Sequence, residues 1–403
     1  MISLGRQLNG IAAIGAVSSA HTWSGIPHHF WRAAAKRWPE IKPWDLDYQR
    51  LAGRRAVWNA LQVVRGLGAG GFQYSRSFLD RAEAQIPDAF WKGTILSFNQ
   101  HFPRSASVRA KGGRLVHYID APFAALAAGS ALPVRLPKAI QEEALASERE
   151  NYAGSERIYC MARWCADAVV DLCGVPRSKV QVVLPGASLP AVDTANSAIP
   201  GQPGHDRPLV LGFVGKDWVR KGLPFQLHVA EQLHARGLRV TVRAAGFDPR
   251  QGPSHPLLEC VGYIRKDTDP LAFMSFLRAA DFGCLFSSHE ALGISTLEFL
   301  GAGVPVMGLA HEGLADTLPP DAGLRFSSGI SAEAVAGVLE QICSEDGRLL
   351  MMRRAAACYA GLVTWDRCVR EIAECEETGR IARPAQPWLG LAENTASEGG
   401  DTA

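Results

Sequence analysis

Two carboxylates in one short stretch are placed to do chemistry. In "HEALGISTLEFLGAGVPV", His289 to Val306, Glu290 and Glu298 are eight positions apart, with Gly293 between them and an apolar run behind. Ser295-x-x-Glu298 can be read as a capping box, in which the serine hydroxyl and the glutamate satisfy backbone donors of a helix start. That reading leaves Glu290 and Gly293 unexplained. The strand-like "FGCLFS" runs into "SHEALGIS" and then into the helix-like "TLEFLGAG". The amides of Leu292, Gly293 and Ile294 would then point out of a helix start, where the positive dipole end favours phosphate or partial negative charge. A carboxylate that accepts from two sugar hydroxyls explains Glu290 better than a cap does.

A second group is cationic. In "FVGKDWVRKG", Phe213 to Gly222, a strand ends at Gly215 and Lys216, Arg220 and Lys221 crowd into the loop before a helix with Pro224 in its first turn. Glycine lets backbone approach a ligand, and lysines supply point charges suited to a diphosphate. The loop is neither a Walker A sequence nor a GxGxxG fingerprint, which speaks against P-loop nucleotide hydrolysis and the usual dinucleotide folds. The alternative for such a loop is a solvated surface.

The elements that must position these groups alternate in kind. Apolar, β-branched runs are separated by helix-like segments, the pattern of an α/β protein with parallel sheets. The first half has "IAAIGAV", "GTILSFN", "RLVHYID", "RIYCMA" and "VQVVLP"; the second has "LVLGFVG", "RVTVRAAG", "LECVGYI", "FGCLFS", "VPVMGLA" and "LRFS". "LPFQLHVAEQLHARG" has helical spacing with Gly237 as a stop. Between the halves, "GASLPAVDTANSAIPGQPGHDRP" is rich in Pro, Gly, Ser and Asp and lacks an apolar period, as a linker does.

The 403 residues are too many for one ordinary core. Two doubly wound domains follow, a first over 1–190 and a second over 208–363, with a linker at 191–207 and a frayed tail at 384–403. With 47 % hydrophobic and 20 % charged residues the chain has the composition of a folded protein. Nine cysteines, an odd number without a CxxC pair, favour a reducing cytoplasm. No apolar run approaches the ~20 residues that span a bilayer. The start, "MISLGRQLNGIAAIGAVSSA", reads as a first strand in preference to a signal peptide. Net charge is +2, but residues 1–120 carry +9 and the remainder −7. A basic first domain suits an anionic surface or ligand, such as phospholipid headgroups or a lipid diphosphate, or is a solvated basic face.

Glu290 and Glu298 followed by "FLGAGVPV" resemble the E-x7-E signature of retaining group 1 glycosyltransferases of the GT-B fold, the glycosyltransferase family 4 type. "GKDWVRKG" is similar to their basic diphosphate loop, in which Lys216 stands where arginine is commoner. Together the matches cover roughly residues 208–315. The resemblance implies a GT-B architecture: two Rossmann-like domains facing a central cleft, with a C-terminal helix near 364–380 crossing back to the first, which binds the acceptor. It implies a nucleotide-sugar donor, with Glu290 on donor-sugar hydroxyls and Glu298 on the ribose, capping remaining the alternative for Glu298. Lys216 and Lys221 would neutralise the leaving diphosphate without a metal or other cofactor, and Gly215, Arg220, Leu292, Gly293 and Ile294 would line the donor.

In the first domain, "SSAHTWSGIPHHFWRAAAKRW" resembles the family's opening loop and helix, where a glycine turn lies against donor phosphate and acceptor. This points to Gly25 and Ser24, then His28 and His29. Paired histidines suggest metal, but no Cys or carboxylate stands at ligand spacing, so none is expected. Asp120 ends "VHYID" where relatives place a polar residue under the reacting sugar; a helix N-cap is its alternative. His101 and Arg104 in "FNQHFPR" are acceptor candidates, and Trp365 in "TWDRCVREIAE" is a packing anchor. Retaining transfer without a placed nucleophile implies front-face substitution, the leaving diphosphate taking the acceptor's proton.

The expected partners are a nucleotide-sugar and a glycan or lipid-linked acceptor in bacterial cell-surface or exopolysaccharide assembly. No nucleic acid is expected, and the location is cytoplasmic, with peripheral contact at the inner membrane surface. A GT-B-type sugar-nucleotide epimerase and a non-catalytic sugar-nucleotide binder are the alternatives. A glycoside hydrolase needs two carboxylates flanking one bond, and a dehydrogenase needs the missing glycine fingerprint.

Overall fold

The computed structural model describes residues 7–129, 132, 134–189, 203 and 207–379. Contacts group them into two units, 7–185 with 368–379 and 186–367. Of the expected linker only Pro203 and Arg207 are among the described residues, and the expected tail at 384–403 lies outside them.

Unit 1 is built on six parallel strands: β1 (Leu8–Ala12), β2 (Lys42–Pro43), β3 (Gly93–Ser97), β4 (Gly113–Ile119), β5 (Arg157–Cys160) and β6 (Val180–Val182), in the order β2-β1-β3-β4-β5-β6. A parallel sheet covered on both faces needs apolar residues on both. Ile95 and Leu96 on β3 and Leu115, Val116, Tyr118 and Ile119 on β4, pointing to both faces, are accordingly all buried. β1 begins three residues before the expected "IAAIGAV", since Leu8 and Gly10 already pair with Thr94 and Ile95 of β3; a Cβ at Gly10 would lie 2.7 Å from the Phe90 ring. β2, absent from the sequence reading, is a two-residue edge strand containing a proline, where the missing N–H costs nothing.

The helix Trp365–Thr378 enters unit 1 at Cys368 and buries Val369, Ile372, Ala373 and Cys375 there. Tyr159 donates to Glu376 at 2.7 Å, and Arg37 donates to Glu377 at 2.5 Å.

Two unit 1 histidines give the fold a pH dependence. His117 and His101 are fully buried, which lowers the first to about 3 and the second to about 4. Both stay neutral in the folded chain while the unfolded chain protonates them near 6.5, so their contribution is present above that pH and lost as pH falls towards 4 and 3. Lowering pH from 6.5 to 5.5 should cost about 1 kcal/mol per histidine, read from urea unfolding. A stability that is flat over that interval would contradict their burial as neutral groups.

Unit 2 has β7 (Leu209–Val214), β8 (Val240–Ala245), β9 (Leu258–Cys260), β10 (Phe282–Leu285), β11 (Val306–Leu309) and β12 (Gly323–Phe326), in the order β12-β11-β10-β7-β8-β9, all neighbours parallel. Counted from β7, this is a 3-2-1-4-5-6 sheet whose direction of growth reverses between β7 and β10. Ligands of open α/β sheets bind beyond the carboxyl ends of strands at such a reversal. The helix Ile294–Gly301 lies directly on the sheet, because Gly283 and Gly212 leave room for the Phe299 ring, at 2.1 and 2.8 Å from where their Cβ atoms would be. At the opposite end of β10, buried Asp281 binds Arg207 at 2.7 Å and Arg353 at 2.6 Å and accepts from the Val210 amide.

Candidate active site

The loops after β7 and β10, on either side of the reversal in unit 2, carry the cations and the first carboxylate. Lys221 donates to Glu290 Oε2 at 3.0 Å, and both side chains are only 13 % exposed. Arg220 reaches the same oxygen at 3.5 Å and donates to the His289 carbonyl at 2.5 Å and to Ser287 Oγ at 3.2 Å. The loops are laced together by the Ser288 amide donating to the Arg220 carbonyl at 2.9 Å.

Two glycines make this approach feasible. A Cβ on Gly215 would fall 2.3 Å from Lys221 Cδ, so its absence gives the lysine stem its path to Glu290. Gly222, at φ +79°, caps the helix Leu223–Ala235 and would place a Cβ 2.2 Å from the Phe286 carbonyl oxygen. Lys216 is brought no closer: it is exposed, without an ion pair or hydrogen bond among the described residues.

The capping-box alternative for Ser295 and Glu298 does not hold. The helix is capped by Gly293, left-handed at φ +80°, so Ser295 stands inside the helix and its Oγ has no partner among the described residues. Glu298 is therefore not a cap partner. It is 1 % exposed, and Lys266 donates to its Oε1 while its Oε2 has no partner among the described residues. Burial raises the Glu298 carboxyl above its ordinary value, against the opposing charges of Lys266 and Lys221. A buried carboxylate oxygen without a donor is costly, and such a group is retained where something else completes it. No carbonyl accepts from the amides of Leu292, Gly293 and Ile294 among the described residues.

The sequence reading missed two groups. Lys266, beyond β9 in "YIRKDTDP", lies over the Phe273 ring at 4.6 Å and holds Glu298; a charged loop of this kind reads as solvated surface. Glu312, beyond β11, has φ +47° and accepts from the Glu290 amide at 2.6 Å, with His289 at 3.3 Å and His311 at 3.7 Å around its carboxylate. A glutamate in that backbone region is strained by roughly 1–3 kcal/mol, and nothing in its sequence context signals it.

In unit 1 the loops after β1 and β3 flank that sheet's own reversal. Trp23, Ser24 and Gly25 are successive left-handed residues, at φ +46°, +57° and +80°, ahead of the helix Ile26–Arg37. His28 Nδ1 lies 2.8 Å from the Ser18 carbonyl oxygen, and burial lowers its pKa. His28 and His29 pack edge to face. His101 is buried against Tyr74 and Phe123, and Arg104 is engaged by Glu83 and by Asp80 at 2.8 Å.

Asp120, half-buried after β4, is not the N-cap of the next helix. Phe123–Ala128 begins after Pro122, and its first amides, Phe123 and Ala124, donate to buried Glu148 at 2.6 and 2.9 Å. Trp365 is buried, with Gly186 packed against its ring.

No protein-family model matches the chain. A Burkholderia thailandensis protein named "Probable transglycosylase" is 27% identical over 269 residues, 66% of this chain and 68% of that protein. A D-inositol 3-phosphate glycosyltransferase of Corynebacterium urealyticum is 26% identical over 237 residues, 54% of each chain, so this chain spans about half the length of that relative. Among solved structures, Anabaena HepE in complex with UDP and glucose superposes with a TM-score of 0.61 at 11% identity, over 92% of this chain and 100% of that one. WaaG, a glycosyltransferase involved in lipopolysaccharide biosynthesis, gives 0.52 at 18% identity, over 74% and 80%. With two six-stranded parallel sheets of this topology, the chain has the GT-B fold, and it is similar in sequence to proteins named as glycosyltransferases.

Proposed function

We propose that the protein is a metal-independent, retaining glycosyltransferase that moves a sugar, a hexose in the first instance, from a nucleotide-diphosphate-sugar to a glycan or lipid-linked acceptor. The observation that carries this reading is the convergence of Lys221 and Arg220 on Glu290 at the sheet reversal of unit 2, beside a buried Glu298 oxygen without a donor among the described residues. The UDP and glucose named in the HepE structure support a donor of this chemistry. The lipopolysaccharide role named for WaaG supports a place in bacterial cell-surface assembly on the cytoplasmic side, peripheral to the inner membrane.

Glu298 accepts from the ribose hydroxyls, its free Oε2 gaining the donors it lacks. Glu290 accepts from sugar hydroxyls. The diphosphate takes up Lys221, with Lys216 and the amides of Leu292, Gly293 and Ile294 as further donors. Lys221 Nζ has three protons, so it can keep Glu290 while gaining a phosphate oxygen. As the glycosidic bond breaks, negative charge grows on the β-phosphate next to that ammonium, and fixed donors aimed at developing charge lower the barrier. The diphosphate then accepts the acceptor's proton on the face it leaves, which keeps the anomeric configuration. Of the unit 1 groups, Asp120 is assigned to the reacting sugar and Gly25 to the donor, while Ser24, His28, His101 and Arg104 are the acceptor-side candidates.

Incubating the purified protein with UDP-glucose and candidate lipid-linked or glycan acceptors tests the reading. Sugar transfer with retained configuration is expected, and EDTA should leave its rate unchanged because lysines carry the charge. Loss of activity on chelation, restored by Mn²⁺ or Mg²⁺, would remove metal independence. An inverted product would remove retention.

A further inference from the structure

The helix Ala52–Val64 in unit 1 is amphipathic in the wrong sense for a helix in water. Its uncharged polar groups face the protein: Gln62 is buried, the Trp58 indole donates to the Gly70 carbonyl at 2.6 Å, and Asn59 Oδ1 accepts from the Gly70 amide at 3.0 Å. Its apolar stripe faces out. Val57, Leu61 and Val64, at i, i+4 and i+7, are 59%, 51% and 86% exposed, with exposed Val63 beside them. Surface helices of globular proteins put that stripe inward. A contiguous exposed apolar stripe marks something that covers it.

The charges around the stripe identify the cover. Arg54, three residues before Val57, and Arg65, four after Leu61, bracket it, and Arg55 is exposed next to Arg54. No Asp or Glu occurs from residue 48 to residue 79. A second copy docked through the same face would set these arginines against their own equivalents, with no carboxylate from residues 48–79 to pair them. An anionic lipid surface supplies both an apolar layer for the valines and leucine and phosphates for the guanidiniums. We infer that the helix Ala52–Val64 lies in the headgroup region of an anionic membrane, with Val57, Leu61 and Val64 inserted and Arg54, Arg55 and Arg65 on lipid phosphates.

The inference rests on the peripheral-membrane part of the proposed function; sedimentation of the full chain with vesicles tests it without any sugar donor, so its failure would leave the sugar-transfer reading standing. The protein should sediment with phosphatidylcholine vesicles containing phosphatidylglycerol, much less with pure phosphatidylcholine, and less again at high salt. The double variant Leu61→Asp, Val64→Asp should lose roughly tenfold or more in partitioning. Arg54→Gln, Arg55→Gln, Arg65→Gln together should lose roughly a hundredfold. Both variants change exposed side chains, so their melting temperatures should stay at the wild-type value, which separates lost binding from lost folding. Wild-type protein that ignores anionic vesicles, or variants that bind them equally well, would overturn the inference. So would self-association in sedimentation velocity that Leu61→Asp, Val64→Asp abolishes, since a second copy would then own the face.

Discussion

Lys221→Ala should lower kcat for sugar transfer by roughly 10²–10³-fold, the scale of losing one fixed donor to a developing oxyanion. Donor KM should move far less. The ammonium is held at 3.0 Å from Glu290 in a site where both groups are largely shielded, so its position is fixed before any donor arrives. Charge on the β-phosphate grows only as the bond breaks, so the contact strengthens towards the transition state and its loss falls on kcat. Arg220, at 3.5 Å from the same carboxylate, keeps Glu290 paired in the variant and the loop intact. Steady-state kinetics over a range of donor concentrations reads the split. A rise in KM with kcat preserved would mean that Lys221 only binds, and would remove its role in the chemical step.

Asp281→Ala should destabilise the protein by about 3–5 kcal/mol, the cost of leaving buried charge without its partner. Arg353 is itself buried and loses its 2.6 Å partner, while Arg207 and the Val210 amide lose theirs. The triad sits at the amino-terminal end of β10, opposite the loops of the proposed donor site, so a folded fraction should keep its donor affinity. Denaturant unfolding with donor binding measured alongside gives both quantities. A loss below about 1 kcal/mol would show that the triad is dispensable, as buried ion pairs replaced by well-packed groups sometimes are.

What could be read from the sequence divides along physical lines. Continuous apolar runs mark buried parallel strands, and eleven of the twelve were legible for that reason, with ends misplaced by a few residues. β2 escaped because two residues ending in proline carry no period. That Lys221 and Glu290 each stand in a loop following a strand was legible; that the two side chains meet was not. That β7 and β10 are neighbours comes only from the sheet order. The capping box failed because Gly293 can adopt φ +80° and takes the N-cap position itself, which the serine pattern concealed. Asp120 lost its cap for a different reason: the amides it would have served are taken by Glu148, 25 residues away along the chain from Phe123. Lys266 and Glu312 act through reach and backbone strain, neither of which composition or spacing records.

The central claim is that unit 2 binds a nucleotide-sugar, with the ribose on Glu298 and the sugar on Glu290. Calorimetric titration of UDP into the wild type, Glu298→Gln and Glu290→Gln measures this most directly. The wild type should bind, Glu298→Gln should lose roughly 1–3 kcal/mol of affinity with its charge-assisted bonds, and Glu290→Gln should bind bare UDP as the wild type does. A Glu298→Gln protein that binds UDP normally, or a Glu290→Gln protein that loses it, would contradict the assignment of the two carboxylates.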